Sequence, residues 1–320
     1  MLMKFLYLLE KIRNPFLDKF FSLVTHVGEE TVFLVLALVF FWCVSKREGY
    51  YLLITGLVGT VINQAAKLIF KIPRPWVKDP SFTIVESARA EATGYSFPSG
   101  HTQNVAGTFG AVGRYSKRTP VRIISVVIIS LVAFSRMYLG VHTPLDVCVS
   151  LGVAAILVFC LYPLFSTEER FHKFMPYVAA VSVLLATGLL LYVFLMSSEG
   201  VDPNNHASGM KNASTLFGCT LAMIPVYLLD RRYIKFETGA AWYSQIIKLL
   251  LGLGGVLLIK SGLSSPLVWL FGNEYVARGV RYFLIVIFAG AVWPLSFGFF
   301  SRLRIPALDK LFSKRKSKAD

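Results

Sequence analysis

The chain has 320 residues, 55% of them hydrophobic and only 16% charged, with a formal charge of +15 and a mean hydropathy of +0.60. Soluble domains carry about 25% charged residues, and here the apolar residues fall in charge-free blocks such as 31–45, 123–134 and 178–196. A soluble enzyme, a disordered chain and a disulfide-stapled secreted domain are excluded. The expected fold class is all-α, a polytopic transmembrane helical bundle.

In chain order, residues 1–29 come first. Lys4, Glu10, Lys11, Arg13, Asp18 and Lys19 interrupt this stretch, so it does not read as a signal peptide. Phe5, Leu8, Leu9, Ile12, Phe16 and Phe20 recur at helical spacing, which predicts an amphipathic helix lying in the membrane interface. A tenth span is the competing reading. Nine spans are expected at 30–46, 50–69, 101–116, 120–138, 144–164, 175–196, 212–229, 242–260 and 281–300. They divide into a six-helix core at 30–196, about three extra spans within 197–300, and a basic tail at 301–320. Tyr115 and Tyr138 fall at span ends, where aromatic rings favour the interface. Cys43, Cys148, Cys160 and Cys219 lie in apolar segments without metal-ligand spacing and read as small buried hydrophobes.

The basic balance does not point to nucleic acid, because no separate basic domain accompanies it. It fits a lipid bilayer partner, with Lys and Arg collected in cytoplasmic loops. One set of alternate loops plus the tail holds eighteen of the thirty-three basic residues, against fourteen on the other side. This bias places the tail in the cytoplasm and the N-terminus outside. The 67–101 loop and the 136–142 turn then face the extracytoplasmic side of a cell membrane, or an organelle lumen. The run Lys314-Arg315-Lys316-Ser317-Lys318 reads as an orientation signal. Asn212-Ala213-Ser214 matches the glycosylation sequon.

Three stretches are out of character with lipid-facing sequence, and all fall on that one side. They are Lys67 to Arg74-Pro75, Pro98-Ser99-Gly100-His101, and Ser135-Arg136 to His142 with Pro144 and Asp146 following. Charges at membrane depth are costly and usually functional. Three cations and two histidines gathered at one face repel each other unless an anion sits between them, and a phosphate group suits that place. Arg74 and Arg136 offer planar forks of donors, and Lys67 adds a compact charge. Ser99 and Gly100 open a helix whose N–H groups point at an anion. Asp146 follows His142 by four residues, so one helical turn returns its carboxylate to the imidazole. A carboxylate on one ring nitrogen leaves the other free to attack phosphorus. His101 is placed to protonate the leaving oxygen and then to activate water. No cluster of acidic metal ligands is visible beside these residues in the sequence, so neither a metal nor another cofactor is expected.

Together, Lys-x6-Arg-Pro, Pro-Ser-Gly-His and Ser-Arg-x5-His-x3-Asp resemble the three signatures of the type 2 phosphatidic acid phosphatase superfamily. Eleven specified positions match in order: Lys67, Arg74, Pro75, Pro98, Ser99, Gly100, His101, Ser135, Arg136, His142 and Asp146. The resemblance implies a helical core, His142 as nucleophile, Asp146 as its partner and His101 as acid/base. It places Lys67, Arg74, Ser99, Gly100 and Arg136 around the phosphate. It leaves the spans after Asn212 unaccounted for. Nine spans with an outward N-terminus also resemble the glucose-6-phosphatase branch in topology.

Elsewhere the readings are structural. His26, His172 and His206 are taken as interfacial or loop residues, and Glu29 and Glu30 as a water-facing span end. Asn63 and Gln64 are assigned to interhelical hydrogen bonds. Gln103 and Asn104 line the pocket or bond a neighbouring helix. Trp76 is assigned as an interfacial anchor, with packing against substrate as the other option. The expected function is a metal-independent membrane phosphatase acting on a lipid phosphate or pyrophosphate through a phosphohistidine. The alternatives are a soluble sugar phosphate as substrate, a non-catalytic lipid-binding or transport protein on the same bundle, and, more distantly, vanadate-dependent halide oxidation.

Overall fold

Helix starts follow capping chemistry written into the sequence. Asn14 caps one helix with Pro15 at its first position, Ser45, Ser99 and Thr167 accept from the first-turn amides of theirs, and Thr143 with Asp146 forms a capping box. The computed structural model describes residues 2–196 and 202–304. Its helices are α1 (Leu2–Lys11), α2 (Pro15–Thr25), α3 (Glu30–Val39), α4 (Lys46–Phe70), α5 (Pro75–Lys78), α6 (Gly100–Tyr115) and α7 (Thr119–Tyr138). There follow α8 (Pro144–Leu161), α9 (Glu168–Leu195), α10 (Pro203–Leu229), α11 (Trp242–Gly262), α12 (Ser264–Phe271), α13 (Glu274–Ile287) and α14 (Phe297–Arg302). No strand occurs among the described residues.

The expected all-α polytopic bundle is what forms. Seven helical stretches are long and apolar enough to cross a membrane, or eight if a bent pair counts as one span. The 242–271 stretch is strongly apolar and little buried, and Leu250, Leu251, Leu257 and Leu258 stand exposed. Such a face is stable in lipid and not in water.

Two expected spans differ. The one at 30–46 is α3 plus a π-helical turn, Phe40–Val44, and joins the α2 segment at a 49° bend. Ser45 caps α4 at once, which ends it early. The one at 101–116 is the 16-residue α6, whose Thr102, Gln103, Asn104 and Thr108 are buried by neighbouring helices. It runs inside the bundle.

Helix α4 is the central rod, in contact with α3, α6, α8, α9 and α10. An aromatic core of Phe41, Tyr50, Tyr51, Phe165, Phe171, Tyr227 and Phe236 fills the end of the bundle opposite the three motifs. Helix α10 of the C-terminal extension, residues 202–304, packs on α9 and α4 of the core and, within the extension, on α13, where a Cβ on Gly218 would lie 2.1 Å from the Gly279 carbonyl oxygen. Only glycine permits that approach. Lys248 on α11, 1% exposed, donates to the Trp42 carbonyl at 2.8 Å and ties the extension to the end of α3.

The N-terminal helices leave Leu8, Ile12, Phe16 and Leu23 exposed on an outer apolar face, while Leu6 and Leu9 are buried. Their other face is occupied by protein. Tyr7 Oη donates to Asp79 at 2.8 Å, and Arg13 donates to the Tyr138 carbonyl at 3.0 Å and the Thr83 carbonyl at 2.8 Å. Tyr138 is fully buried, packs on Phe21 and donates to Asp18, so it is not an interfacial anchor. Trp76 is also absorbed into this cap, beneath the Arg74 and Arg89 guanidinium groups. Cys148 and Cys160 are exposed on the bundle exterior, contrary to the burial expected, and Cys219 is buried. The run at 314–318 lies outside the described residues.

Candidate active site

Helix α8 organises the site. The turn before it closes because the Arg136 carbonyl accepts from the amides of Val141 and His142, with Gly140 at φ +80°. Asp146, at N3 of α8, then meets His142. Its Oδ2 accepts from the Thr143 amide at 2.8 Å, from Ser96 Oγ at 2.6 Å and from His142 Nδ1 at 3.3 Å. The same helix holds the start of α6, because the Asp146 carbonyl accepts from the Ser99 amide and Ser150 Oγ donates to the Ser99 carbonyl. Ser99 Oγ accepts from Thr102, which leaves its own hydrogen free for an acceptor beyond the helix end.

The cations converge on this point. Arg74 Nη1 lies 3.0 Å from His142 Nε2 and 3.0 Å from the Val141 carbonyl, while Nε and Nη2 donate to the carbonyls of Gly94 and Thr93. Lys67 Nζ donates to the Tyr95 carbonyl at 2.5 Å. Arg136, 1% exposed, donates to Thr25 Oγ1 at 2.6 Å and leaves Nε unpartnered. Among the described residues none of the three has a carboxylate within 4.0 Å. Three buried cations held only by dipoles are expensive, and an anion between them removes that cost.

A guanidinium only donates, so the Arg74 contact makes His142 Nε2 an acceptor and puts the ring proton on Nδ1, facing Asp146. His142 lies in the turn, outside the helices. Burial first, and then the cations of Arg74, Lys67 and Arg136, push its imidazole well below the ordinary histidine range. Both effects favour the neutral ring, whose Nε2 lone pair the Arg74 N–H holds.

His101 stands across the pocket in the first turn of α6, its Nε2 3.4 Å from Glu91 Oε2. All eight expected site residues are thus gathered at one end of the bundle. Several neighbours are ones that sequence reasoning missed. Glu91 Oε1 is 3.4 Å from His26 Nδ1, and His26 also bonds Glu29. The ligand atoms of His26, Glu29 and Glu91 lie within 4.8 Å of one another, a donor set able to hold a cation. The expectation that no acidic ligands lie beside the motifs is corrected, because the 71–99 loop folds back to bring Glu91 to the N-terminal segment. A Cβ on Gly28 would lie 3.0 Å from His101 Cβ, so that segment forms a wall of the site. Asn63, assigned to interhelical bonding, has no hydrogen-bond partner among the described residues. A polar residue one turn from the motif lysine, inside an apolar span, was the available signal.

The sequence profile of the PAP2 superfamily matches residues 47–170, and that of the PAP2 superfamily phosphatase transmembrane extension matches 211–305. The second match covers the spans that the three motifs left unexplained. The "Probable sphingosine-1-phosphate phosphatase" of Dictyostelium discoideum is 27% identical over 203 residues, 59% of this chain and 47% of that protein. This chain thus spans about half the length of that relative. Undecaprenyl-diphosphatase BcrC of Bacillus subtilis is 30% identical over 151 residues, 47% of this chain and 75% of its own length. Phosphatidylglycerophosphatase B of the same organism is 28% identical over 178 residues, covering 51% and 82%. Motifs, helical core and extension agree: the chain belongs to the PAP2 superfamily.

Proposed function

We propose that the protein is an integral membrane phosphatase that hydrolyses a lipid phosphate or diphosphate through a phosphohistidine on His142, without a metal ion. The observation that carries this reading is the His142 ring, with Nδ1–H on Asp146 and an unprotonated Nε2 that accepts from Arg74. The relatives' names, a sphingosine-1-phosphate phosphatase, an undecaprenyl-diphosphatase and a phosphatidylglycerophosphatase, support an amphipathic substrate.

In the first step the Nε2 lone pair attacks phosphorus, the ester P–O bond breaks, and the leaving oxygen takes a proton from His101, which becomes cationic when the bound phosphate offsets the charge of Arg136, Arg74 and Lys67. Asp146 stabilises the positive charge that the His142 ring acquires. In the second step water attacks phosphorus, its proton returns to His101, and the P–N bond breaks to release phosphate. Lys67, Arg74, Arg136, the Ser99 hydroxyl and the Gly100 amide balance charge on the equatorial oxygens, work that Mg²⁺ often performs in phosphoryl transfer. The site faces the extracytoplasmic side, a placement supported by the loop charge bias.

The test is phosphate release by detergent-purified protein in EDTA, beside His142→Ala. The substrates are phosphatidate, phosphatidylglycerophosphate, undecaprenyl diphosphate, sphingosine 1-phosphate and glucose 6-phosphate. Release from a lipid that survives EDTA and disappears in the variant is expected. Loss of release in EDTA would favour a second reading, in which a cation held by His26, Glu29 and Glu91 assists beside His101. Preference for glucose 6-phosphate would move the substrate class to soluble sugar phosphates.

A further inference from the structure

Asn63 is 3% exposed, and neither its Oδ1 nor its Nδ2 has a hydrogen-bond partner among the described residues. Gln103 is equally buried and leaves Nε2 unpartnered. A buried amide with nothing to bond is unfavourable, and an apolar side chain in its place avoids the cost. Such an orphan in a described site calls for an explanation.

Its position supplies one. Helices α4 and α6 run antiparallel in close register: a Cβ on Gly59 would meet Gln103 Nε2 at 2.8 Å, and a Cβ on Gly100 would lie 3.8 Å from Asn63 Oδ1. The two amides share one seam, and Asn63 borders the first turn of α6, where the free backbone N–H groups point outward. Lys67 is one helical turn further along the same face of α4. Asn63 Nδ2 and Gln103 Nε2 each carry two N–H groups, and neither has an acceptor among the described residues. Asn63 Nδ2 is thus an unused donor beside a lysine and a helix N-terminus. The group that completes this set is an acceptor, and an anionic one.

We propose that Asn63 is a phosphate-binding residue, donating its side-chain N–H to the equatorial phosphoryl oxygen that also meets the Gly100 amide and Lys67. This rests on the phosphatase reading above and adds a neutral donor to its cationic pocket. The ligand class is a tetrahedral or trigonal-bipyramidal oxyanion, whatever organic group the phosphate carries.

Orthovanadate is the probe, used with the full-length protein in detergent. Wild type, Asn63→Leu and Asn63→Ala are compared in two readouts: melting temperature without ligand, and the inhibition constant for vanadate. Leu removes the orphan amide and fills its space, so Asn63→Leu is expected to melt at or above the wild-type temperature. The vanadate constant is expected to rise about tenfold in both variants, the size of one lost hydrogen bond to a charged group. Ala provides the comparison without added bulk. Unchanged vanadate affinity in both variants overturns the proposal and leaves Asn63 a packing residue. Failure of the wild type to bind vanadate overturns the phosphatase reading itself, and this inference with it.

Discussion

Asp146 concentrates three hydrogen bonds on one carboxylate oxygen, and its replacement separates chemistry from folding. In Asp146→Asn the side chain keeps its shape and can still accept from the Thr143 amide and Ser96 Oγ, now at 2.8 and 2.6 Å. What disappears is the negative charge opposite a ring that, in the proposed mechanism, becomes cationic on attacking phosphorus. A hydrogen bond to a charged group is worth about 1.5–3 kcal/mol, or roughly 10- to 150-fold in rate at about 1.36 kcal/mol per tenfold. If the new amide turns its NH₂ toward Nδ1, the ring proton moves to Nε2 and the nucleophile is blocked, enlarging the loss toward about 10⁴-fold. Folding should change by only about 1 kcal/mol. Asp146→Ala removes the capping box, worth about 1 kcal/mol, and orphans the buried donors of Ser96 and His142 at about 1–3 kcal/mol each. Its total of about 3–7 kcal/mol is a large share of a typical domain's stability. The assay is turnover on the preferred lipid together with thermal unfolding. An Asn variant that turns over at the wild-type rate would refute the role given to the carboxylate.

Other consequences follow from the walls of the site. Gly28→Ala places a Cβ 2.9 Å from Val132 Cγ1 and 3.0 Å from His101 Cβ and its carbonyl oxygen; it should lower stability by about 1–3 kcal/mol and turnover by at least tenfold, read by thermal unfolding and phosphate release. Thr25→Val keeps the volume but removes the acceptor for Arg136 Nη1, so a destabilisation of about 1–3 kcal/mol is expected in denaturant or thermal titration. For His142 the folded-state pKa is depressed, so its stabilising contribution is complete above the unfolded value of about 6.5 and is lost as pH falls below it. The melting temperature of substrate-free protein should therefore drop between pH 7 and 5, and His142→Gln should flatten that slope. A cysteine placed at exposed Ser81, on the 71–99 loop that carries Glu91 to the site, should react with an impermeant maleimide in intact cells if the site faces outward; one at Lys117 should not.

The chemical set was readable from sequence because its members break an apolar background at fixed linear spacings. Lys67, Arg74, His101, Arg136, His142 and Asp146 stand out wherever the chain is inspected, and the i, i+4 relation of His142 to Asp146 needs only one helical turn. The pieces that were not readable depend on long-range folding. Glu91 reaches His101 because the 71–99 loop folds back over the bundle, and Thr25 and Gly28 reach Arg136 and His101 because α2 packs on α7. Hydropathy records what a residue is, not what covers it. The same segment type holds exposed Cys148 and buried Cys219, and an interfacial-looking Tyr138 is sealed by Phe21. Helix α6, expected as a span at 101–116, carries buried polar residues because neighbouring helices shelter it, which hydropathy alone does not reveal.

The most direct measurement of the central claim is a search for the covalent intermediate. Purified protein is mixed with ³²P-labelled lipid substrate, quenched within milliseconds in alkali, and the labelled peptide is sequenced. The account predicts an acid-labile, alkali-stable phosphate on His142, absent in His142→Ala and longer-lived in His101→Ala. Turnover in the His142→Ala variant at the wild-type rate, or label on any other residue, would contradict it.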